Sequence, residues 1–261
     1  MAEVKKRTTL QIWGDVIFAI FLREIKSRFS DKLGFSWALI SPMIMIVVMV
    51  AIRGALDSGD THGMPTMYFV VYGVVFVQFF VAVLEKTSDS IQKNKPLYAF
   101  RQVQPISSVL AIAGFELLVK FFLVVLLIIL GFFLRLDALV DDPIEIILNV
   151  FRIWLIAVSV GMLFSLSACY VPEVKKLKAL LIRPIFFISG IFFSLQDIPK
   201  EYWPYLTWNP LLHAVELARH AAYPAYEAAG VSYLFLDSAT LLSVFFALAC
   251  YHISWKQAIS R

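Results

Sequence analysis

Six long apolar runs constrain this chain more than any other feature. They fall at residues 36–55, 67–84, 108–134, 144–169, 181–195 and 233–251, separated by polar segments. A lipid core about 30 Å thick is crossed by about 20 helical residues rising 1.5 Å each. With no water to satisfy backbone groups there, a single segment must bond its own N–H and C=O groups, which a helix does. The expectation is an all-α integral membrane protein with six transmembrane helices per subunit. Composition agrees: the chain is 60% apolar and 16% charged, where soluble domains run near a quarter charged. No signal peptide is read in the first 35 residues, which lack a cleavage site and end in charge. Cys169 and Cys250 sit at run ends and point to neither a disulfide framework nor a zinc site.

Charge placement orients the runs. Lys5, Lys6, Arg7, Arg23, Lys26, Arg28 and Lys32 precede the first run. Lys86, Lys93, Lys95 and Arg101 follow the second, Lys175, Lys176 and Lys178 follow the fourth, and Lys256 and Arg261 follow the last. The alternate loops hold only Arg135, Lys200 and Arg219, and are acidic at Asp57, Asp60, Asp137, Asp141, Asp142, Asp197, Glu201, Glu216 and Glu227. The positive-inside rule places both termini and the basic loops in the cytoplasm. The net charge of +4 is therefore topology rather than a nucleic-acid footprint, and no nucleic-acid partner is expected.

The whole chain, 1–261, reads as one membrane domain. Residues 10–22 are apolar and helical in composition but too short to span. With the charged stretch 23–32 they suggest an N-terminal interfacial helix within a cytoplasmic segment 1–35, the alternative being an unstructured basic leader. Leu33-Gly34 is read as a break before the first run, and Pro42 lies one turn inside it. Residues 57–66 read as a short polar turn. In 85–107, Pro96 and Pro105 bracket the apolar piece Leu97–Phe100. That pattern fits a short surface helix offered to a soluble partner, with a plain solvated loop as the alternative. The outer loop 196–232 carries Tyr202, Trp203, Tyr205 and Trp208, then Asn209-Pro210, a helix cap followed by a first-turn proline. A helix from there to about residue 223 sets His213, Glu216, Arg219, His220 and Tyr223 on one arc, as a re-entrant or membrane-surface helix between runs five and six.

The candidate chemistry is sparse. His213, Glu216 and His220 do not have the H-E-x-x-H spacing, so a polar face with Glu216 paired to Arg219 or His220 is preferred to a metal site. The four histidines lie outside the runs or at their ends, and no acid pair is read within a run, which argues against an enzyme. Arg53, Lys120, Arg152 and Arg183 interrupt the runs, and Glu116 is the one clear intramembrane acid. A charge at mid-membrane costs about 2.5–3.5 kcal/mol on insertion scales, so these cations should face a bundle interior, water or a run end. A net-positive core favours an anionic passenger over proton or sodium coupling. Tyr72, Phe193, Trp203 and Trp208 could stack on sugar faces, or serve as packing and an interfacial belt. No stretch reads G-x-x-x-x-G-K-[ST], so energy must come from a gradient or from a partner.

Residues 23–42, REIKSRFSDKLGFSWALISP, resemble the entry motif of type-two ABC exporter permeases, through Arg23, Glu24, Lys26, Arg28, Phe29, Leu33, Gly34, Trp37 and Pro42. Asn209-Pro210-Leu211 with Glu216 and Arg219 resembles that family's outer-loop motif. NKPLYAFRQVQPIS and WNPLLHAVELAR are most similar to the capsular-polysaccharide export permeases of Gram-negative bacteria, the KpsM-like group. The resemblance implies a non-enzymatic permease that pairs with a second copy of itself and docks a separate ABC ATPase, which would carry the ATP and Mg. No cofactor is implied on this chain. Residues 86–101 would be the coupling helix, with Lys93, Lys95, Tyr98 and Arg101 beside Arg23 and Glu24 of the 10–32 helix. The 196–232 loop, with Asn209, Pro210, Glu216, Arg219 and His220, would be an outer gate. Arg53, Lys120, Arg152, Arg183 and the aromatics would line the path of a lipid-linked acidic polysaccharide, passed on to periplasmic and outer-membrane export proteins. The bacterial inner membrane is the implied location. The rivals are an O-antigen or teichoic-acid exporter permease and, in a different class, a membrane enzyme of lipid-linked sugar metabolism.

Overall fold

The computed structural model describes residues 8–30, 32–56, 60–136 and 140–260. The readings at Lys5, Lys6, Arg7, Asp57, Asp137 and Arg261 lie outside them. Helix α1 is Thr9–Ser30, α2 Lys32–Leu56, α3 Thr66–Ser88, α4 Ser90–Lys93 and α5 Pro105–Phe133. They are followed by α6 Pro143–Tyr170, α7 Val174–Ile188, α8 Pro210–Ala222 and α9 Tyr233–Ser260. The strands β1, Asp60–Thr61, and β2, Met64–Pro65, form a two-residue hairpin between α2 and α3. Among the described residues five helices, α2, α3, α5, α6 and α9, are long and apolar enough to cross a membrane by length and composition.

α3 lies at the centre, packed by α2, α5, α6 and α8, while α9 packs on α6 and α1 on α5. A helix that is apolar on every side belongs in an interior. α3 meets that condition through Phe69, Val74, Val77, Phe79 and Val83, all nearly inaccessible. By contrast α2 and α9 expose Val47, Ile52, Leu241 and Phe245, the surface expected against lipid tails.

Segments assigned to one side by charge do meet. At one end, here called the basic end, Gln92 Nε2 donates to Ala168 O at 2.7 Å, Lys178 Nζ reaches Asp89 Oδ1 at 3.2 Å, and Tyr170 OH donates to Ser254 O at 2.9 Å. At the opposite end the N–H groups of Asp141 and Asp142 bond Ala222 O and Ala221 O at 3.2 and 2.8 Å. The α5–α6 connection thereby satisfies carbonyls that the end of α8 leaves without helical partners.

Several expectations need correction. α2 runs without interruption through Leu33 and Gly34, so those residues do not break the chain. The apolar stretch 10–22 and the charged stretch after it do form the one helix expected of them, α1. Most runs extend beyond the apolar residues, as in α3 to Ser88 and α9 to Ser260, because helical bonding continues past the apolar limit. The fifth run is the largest departure. α7 starts at Val174, among the lysines read as loop, and stops at Ile188. Ser189 and Gly190 then turn the chain, with Gly190 at φ +76°, where a side chain would meet Leu212 Cδ1 at 2.8 Å. In the segment read as a polar turn, 57–66, the described part 60–66 is a hairpin in which Met64 is fully buried and His62 and Gly63 take φ of 51° and 79° at the tip.

Candidate functional site

Of the two expectations for α8, a re-entrant helix or one on the membrane surface, the structure departs from the second: α8 is buried on nearly every side, with only His220 exposed. Asn209 caps it: Oδ1 accepts from Leu211 N–H at 3.0 Å, while Nδ2 donates to Ser189 Oγ at 3.0 Å. Pro210 opens the helix where its missing N–H costs nothing. The cap thus joins α8 to the turn after α7.

Burying the polar arc is possible because its charges are satisfied internally. Arg219 Nη1 pairs with Glu216 Oε1 at 3.1 Å, and both side chains are inaccessible. Arg219 Nη2 also donates to Phe69 O at 3.0 Å and Gly190 O at 2.6 Å, and its guanidinium lies 3.4 Å from the centre of the Phe69 ring. Glu216 Oε2 accepts from Tyr226 OH at 2.6 Å, and that hydroxyl shares a 2.7 Å bond with Ser194 Oγ. An unpaired buried charge costs several kcal/mol, so this closed network is what lets α8 enter the core. Space for it depends on Gly73, where an added Cβ would stand 2.8 Å from Arg219 Nη2.

Arg53 lies over the same ring, 4.2 Å from its centre. It donates to Phe192 O at 2.5 Å and reaches Asp197 Oδ2 at 3.4 Å. Asp197 Oδ1 bonds His62 Nε2 at 2.6 Å, and Oδ2 accepts Ser194 N–H at 2.8 Å. Partial burial pushes the Asp197 carboxyl up, but the Ser194 N–H, His62 and Arg53 outweigh it and hold it below the ordinary value. One carboxylate therefore ties together the end of α2, the hairpin and the turn after α7. His213 serves packing: its ring accepts from Ser232 N–H at 3.0 Å and meets Thr207 O at 2.8 Å. Burial lowers its pKa, against the opposing pull of the Thr207 and Ser232 backbone bonds. His220 turns to Tyr226 O at 2.7 Å. The two histidines and Glu216 do not converge, and among the described residues no group of three or more His, Cys, Asp or Glu could hold a metal.

The net-positive core is also corrected. Arg152 Nε pairs with Asp237 Oδ1 at 2.6 Å, its Nη1 pairs with Glu145 and bonds Asn149 Oδ1 at 2.9 Å, and it lies over Tyr233. Glu145 and Asp237 belong to the apolar runs, so Glu116 is not the sole acid there. Glu116 stands 3.7 Å from Arg28 and one turn before Lys120, whose Nζ lies 5.9 Å from the Phe79 ring centre. Arg183 differs from the others: it is exposed on α7, beside exposed Leu180 and Phe187. Arg53, Lys120 and Arg152 thus have separate sets of partners.

The aromatics also separate. Tyr72 is half-buried on α3, 6.4 Å from Phe76, and Phe193 is half-buried in the turn after α7. Trp203 donates to Ile198 O at 2.8 Å and packs where Gly230 leaves no room for a side chain. Trp208 is 60% exposed, which leaves its face open.

At the basic end, residues 86–101 comprise the end of α3, α4 and a 3₁₀ turn at Lys95–Ala99. Lys93, Lys95 and Arg101 are exposed, and Phe100 is 66% exposed. Tyr98, grouped with them for docking, faces inward instead. It is buried and its hydroxyl bonds Ser108 Oγ at 2.7 Å, because an apolar ring with one satisfied polar tip is stable in the core. Arg23 bonds Asn94 Oδ1, just past the end of α4, while Glu24 pairs with Arg28 one turn along α1 at 3.1 Å.

Sequence reasoning missed Phe69, Ser194, Tyr226 and His62, which have no local signal: each acts through partners far along the chain. Glu145 and Asp237 did have one, since an acid in an apolar run is as costly as the arginine it pairs with.

Comparison with known proteins agrees with this architecture. Residues 15–223 match the ABC-2 type transporter family. The chain is 31% identical over 246 residues to the polysialic acid transport protein KpsM of Escherichia coli, covering 94% of this chain and 95% of that protein. It is 24% identical over 223 residues to the capsule polysaccharide export inner-membrane protein BexB of Haemophilus influenzae, covering 82% and 81%. With the corresponding protein CtrC of Neisseria meningitidis serogroup A, identity is 23% over 232 residues, 84% of each chain. The chain belongs to the ABC-2 type transporter family.

Proposed function

We propose that this chain is the membrane permease subunit of an ATP-driven exporter that moves lipid-linked capsular polysaccharide across the bacterial inner membrane. The observation that carries the reading is similarity along 94% of the chain to a polysialic acid transport protein, joined by two further groups of capsule export proteins. Polysialic acid is an anionic polymer, so an acidic glycan is the preferred passenger. That preference rests on the relative and no longer on a positive core.

ATP and Mg would be held by a separate ABC ATPase, because this sequence has no phosphate loop. The exposed Lys93, Lys95, Phe100 and Arg101, on short turns braced by α3 and α5, give that subunit a rigid surface to push. Both termini are taken as cytoplasmic, with the basic end inward. α7 is taken as the sixth crossing. Lys178 is at the basic end and the turn after Ile188 is at the Arg53 end, so a helix of about 22 Å joins the two ends. α8 is then a helix re-entering from outside, and the loop around it an outer gate. One such bundle is small for a sugar-wide path, which favours a pair of copies, with periplasmic and outer-membrane export proteins downstream.

Deleting the gene tests the reading. Surface polysaccharide should disappear while the lipid-linked glycan accumulates on the inner face. Identifying that glycan separates capsule from O-antigen or teichoic acid. Normal surface glycan in the deletion strain overturns export, and failure to co-purify any ATPase would favour the lipid-linked-sugar enzyme.

A further inference from the structure

A cavity of about 240 Å³ opens at the basic end between α1 and the α3–α4 corner. Its lining includes Arg23, Arg28, Lys86 and Lys93, with Glu24 as the one acid and Asn94 at its edge. Four cations line so small a space, and Glu24 and Glu116, both beside Arg28, offset only part of their charge, so a bound anion is favoured there. Two are held in place by other groups: Arg23 by Asn94, itself buried, and Arg28 by Glu24 and Glu116. Fixed guanidinium groups suit phosphate oxygens, and lysines add point charge.

The surroundings say where such a phosphate comes from. α1 exposes Phe18, Leu22 and Phe29, and α5 exposes Phe121 and Phe122. These apolar residues belong to the helices that wall the cavity, which gives it an apolar, lipid-suited surface on one side and the basic end on the other. That is the depth of a lipid headgroup. The volume is below the about 300 Å³ at which pockets for larger ligands begin, so a single headgroup fits and a glycan does not.

We propose that this cavity binds the phosphate of a lipid in the leaflet facing the basic end. Both the phosphate of an exported glycan's lipid anchor and that of an ordinary anionic phospholipid have the required chemistry. The assignment stands apart from the export reading, since lipid retention is measured on resting protein without transport.

The test uses the full chain in phosphatidylcholine nanodiscs, reading retained lipid by native mass spectrometry. Three probes are added separately: phosphatidylglycerol, a synthetic lipid phosphate bearing one sugar, and inorganic phosphate. Wild type should retain phosphatidylglycerol over phosphatidylcholine, and Lys86→Gln should lower that retention about tenfold, as expected for one lost charge-assisted contact. Lys86→Arg should keep it, and added salt should weaken it. Melting temperature, followed in parallel, shows that the variants are folded. Preference for the sugar-bearing lipid assigns the anchor, and equal retention of both lipids assigns bulk phospholipid. Unchanged retention in folded Lys86→Gln overturns the proposal. So does displacement by inorganic phosphate alone. Unaltered lipid binding with loss of ATPase co-purification would overturn it in favour of a cavity that receives an acidic ATPase side chain.

Discussion

Arg219 shows how a charged residue can be more deeply placed than most of the leucines around it. Its guanidinium has Glu216, two carbonyls and an aromatic face as partners, so the cost of leaving water is met locally. Arg219→Met should therefore destabilise the protein by about 3–5 kcal/mol, because Glu216 is left as an uncompensated buried charge. Adding Glu216→Leu should restore much of that loss, a sign opposite to simple accumulation of damage. Thermal unfolding of the purified protein in detergent, followed by circular dichroism, reads both. A single variant that melts with wild type would remove the network as a support of α8. Asp197 offers a pH counterpart. Its folded pKa is lower than its unfolded value of about 3.9, so its contribution is present above that pH and lost as pH falls through the lower folded value. Asp197→Asn should flatten the acid limb of a stability-against-pH curve, and an unchanged limb would rule out the triad with His62 and Arg53 as its source. Of these partnerships only the short-range pair Glu216–Arg219 was legible in the sequence, through its spacing.

Among the elements, the crossing helices were legible because lipid imposes length and apolarity, and both are counted directly. Boundaries were less so: an apolar run ends where charge begins, while a helix ends where its hydrogen bonds do, as at Ser88 and Ser260. α8 misled for a physical reason. His213, Glu216 and Arg219 read as a polar arc, and the depth at which the helix is buried does not show until tertiary partners are known. Its cap was legible and is testable. Asn209→Ala should cost about 0.5–2 kcal/mol, toward the upper figure because Nδ2 also bonds Ser189. The second elemental prediction concerns the turns after α3. Lys95→Glu combined with Arg101→Glu should reduce recovery of the ATPase with the permease while membrane insertion and melting stay normal, since both side chains are exposed. Tyr98→Phe, by contrast, should lower the melting temperature through loss of the Ser108 bond and leave ATPase recovery intact. If charge reversal leaves recovery intact and Tyr98→Phe reduces it, the docking surface is elsewhere.

At the scale of the whole molecule, charge pattern carried the arrangement of the ends but not the nature of the path. Counting cations against a single acid treated each run in isolation, whereas the fold brings Glu145 and Asp237 to Arg152 and Asp197 to Arg53. The intramembrane arginines therefore divide into two classes with different expected behaviour. Arg152 fastens the start of α6 to the start of α9 and is engaged by two carboxylates. Arg152→Gln should lower the melting temperature, because Glu145 and Asp237 then repel each other without a cation between them. Export per folded molecule should change little. Arg183 is exposed on α7, the helix proposed as the short sixth crossing. If an acidic glycan or its phosphate passes along α7, Arg183→Gln should lower export several-fold at unchanged melting temperature and unchanged ATPase recovery. Arg183→Lys should retain most of the export, since a positive charge at that depth is what the anion meets. Surface polysaccharide normalised to permease level in the membrane, beside melting curves of the same variants, separates the classes. Equal export from Arg183→Gln and wild type would make Arg183 an interfacial anchor and remove α7 from the path of the anion.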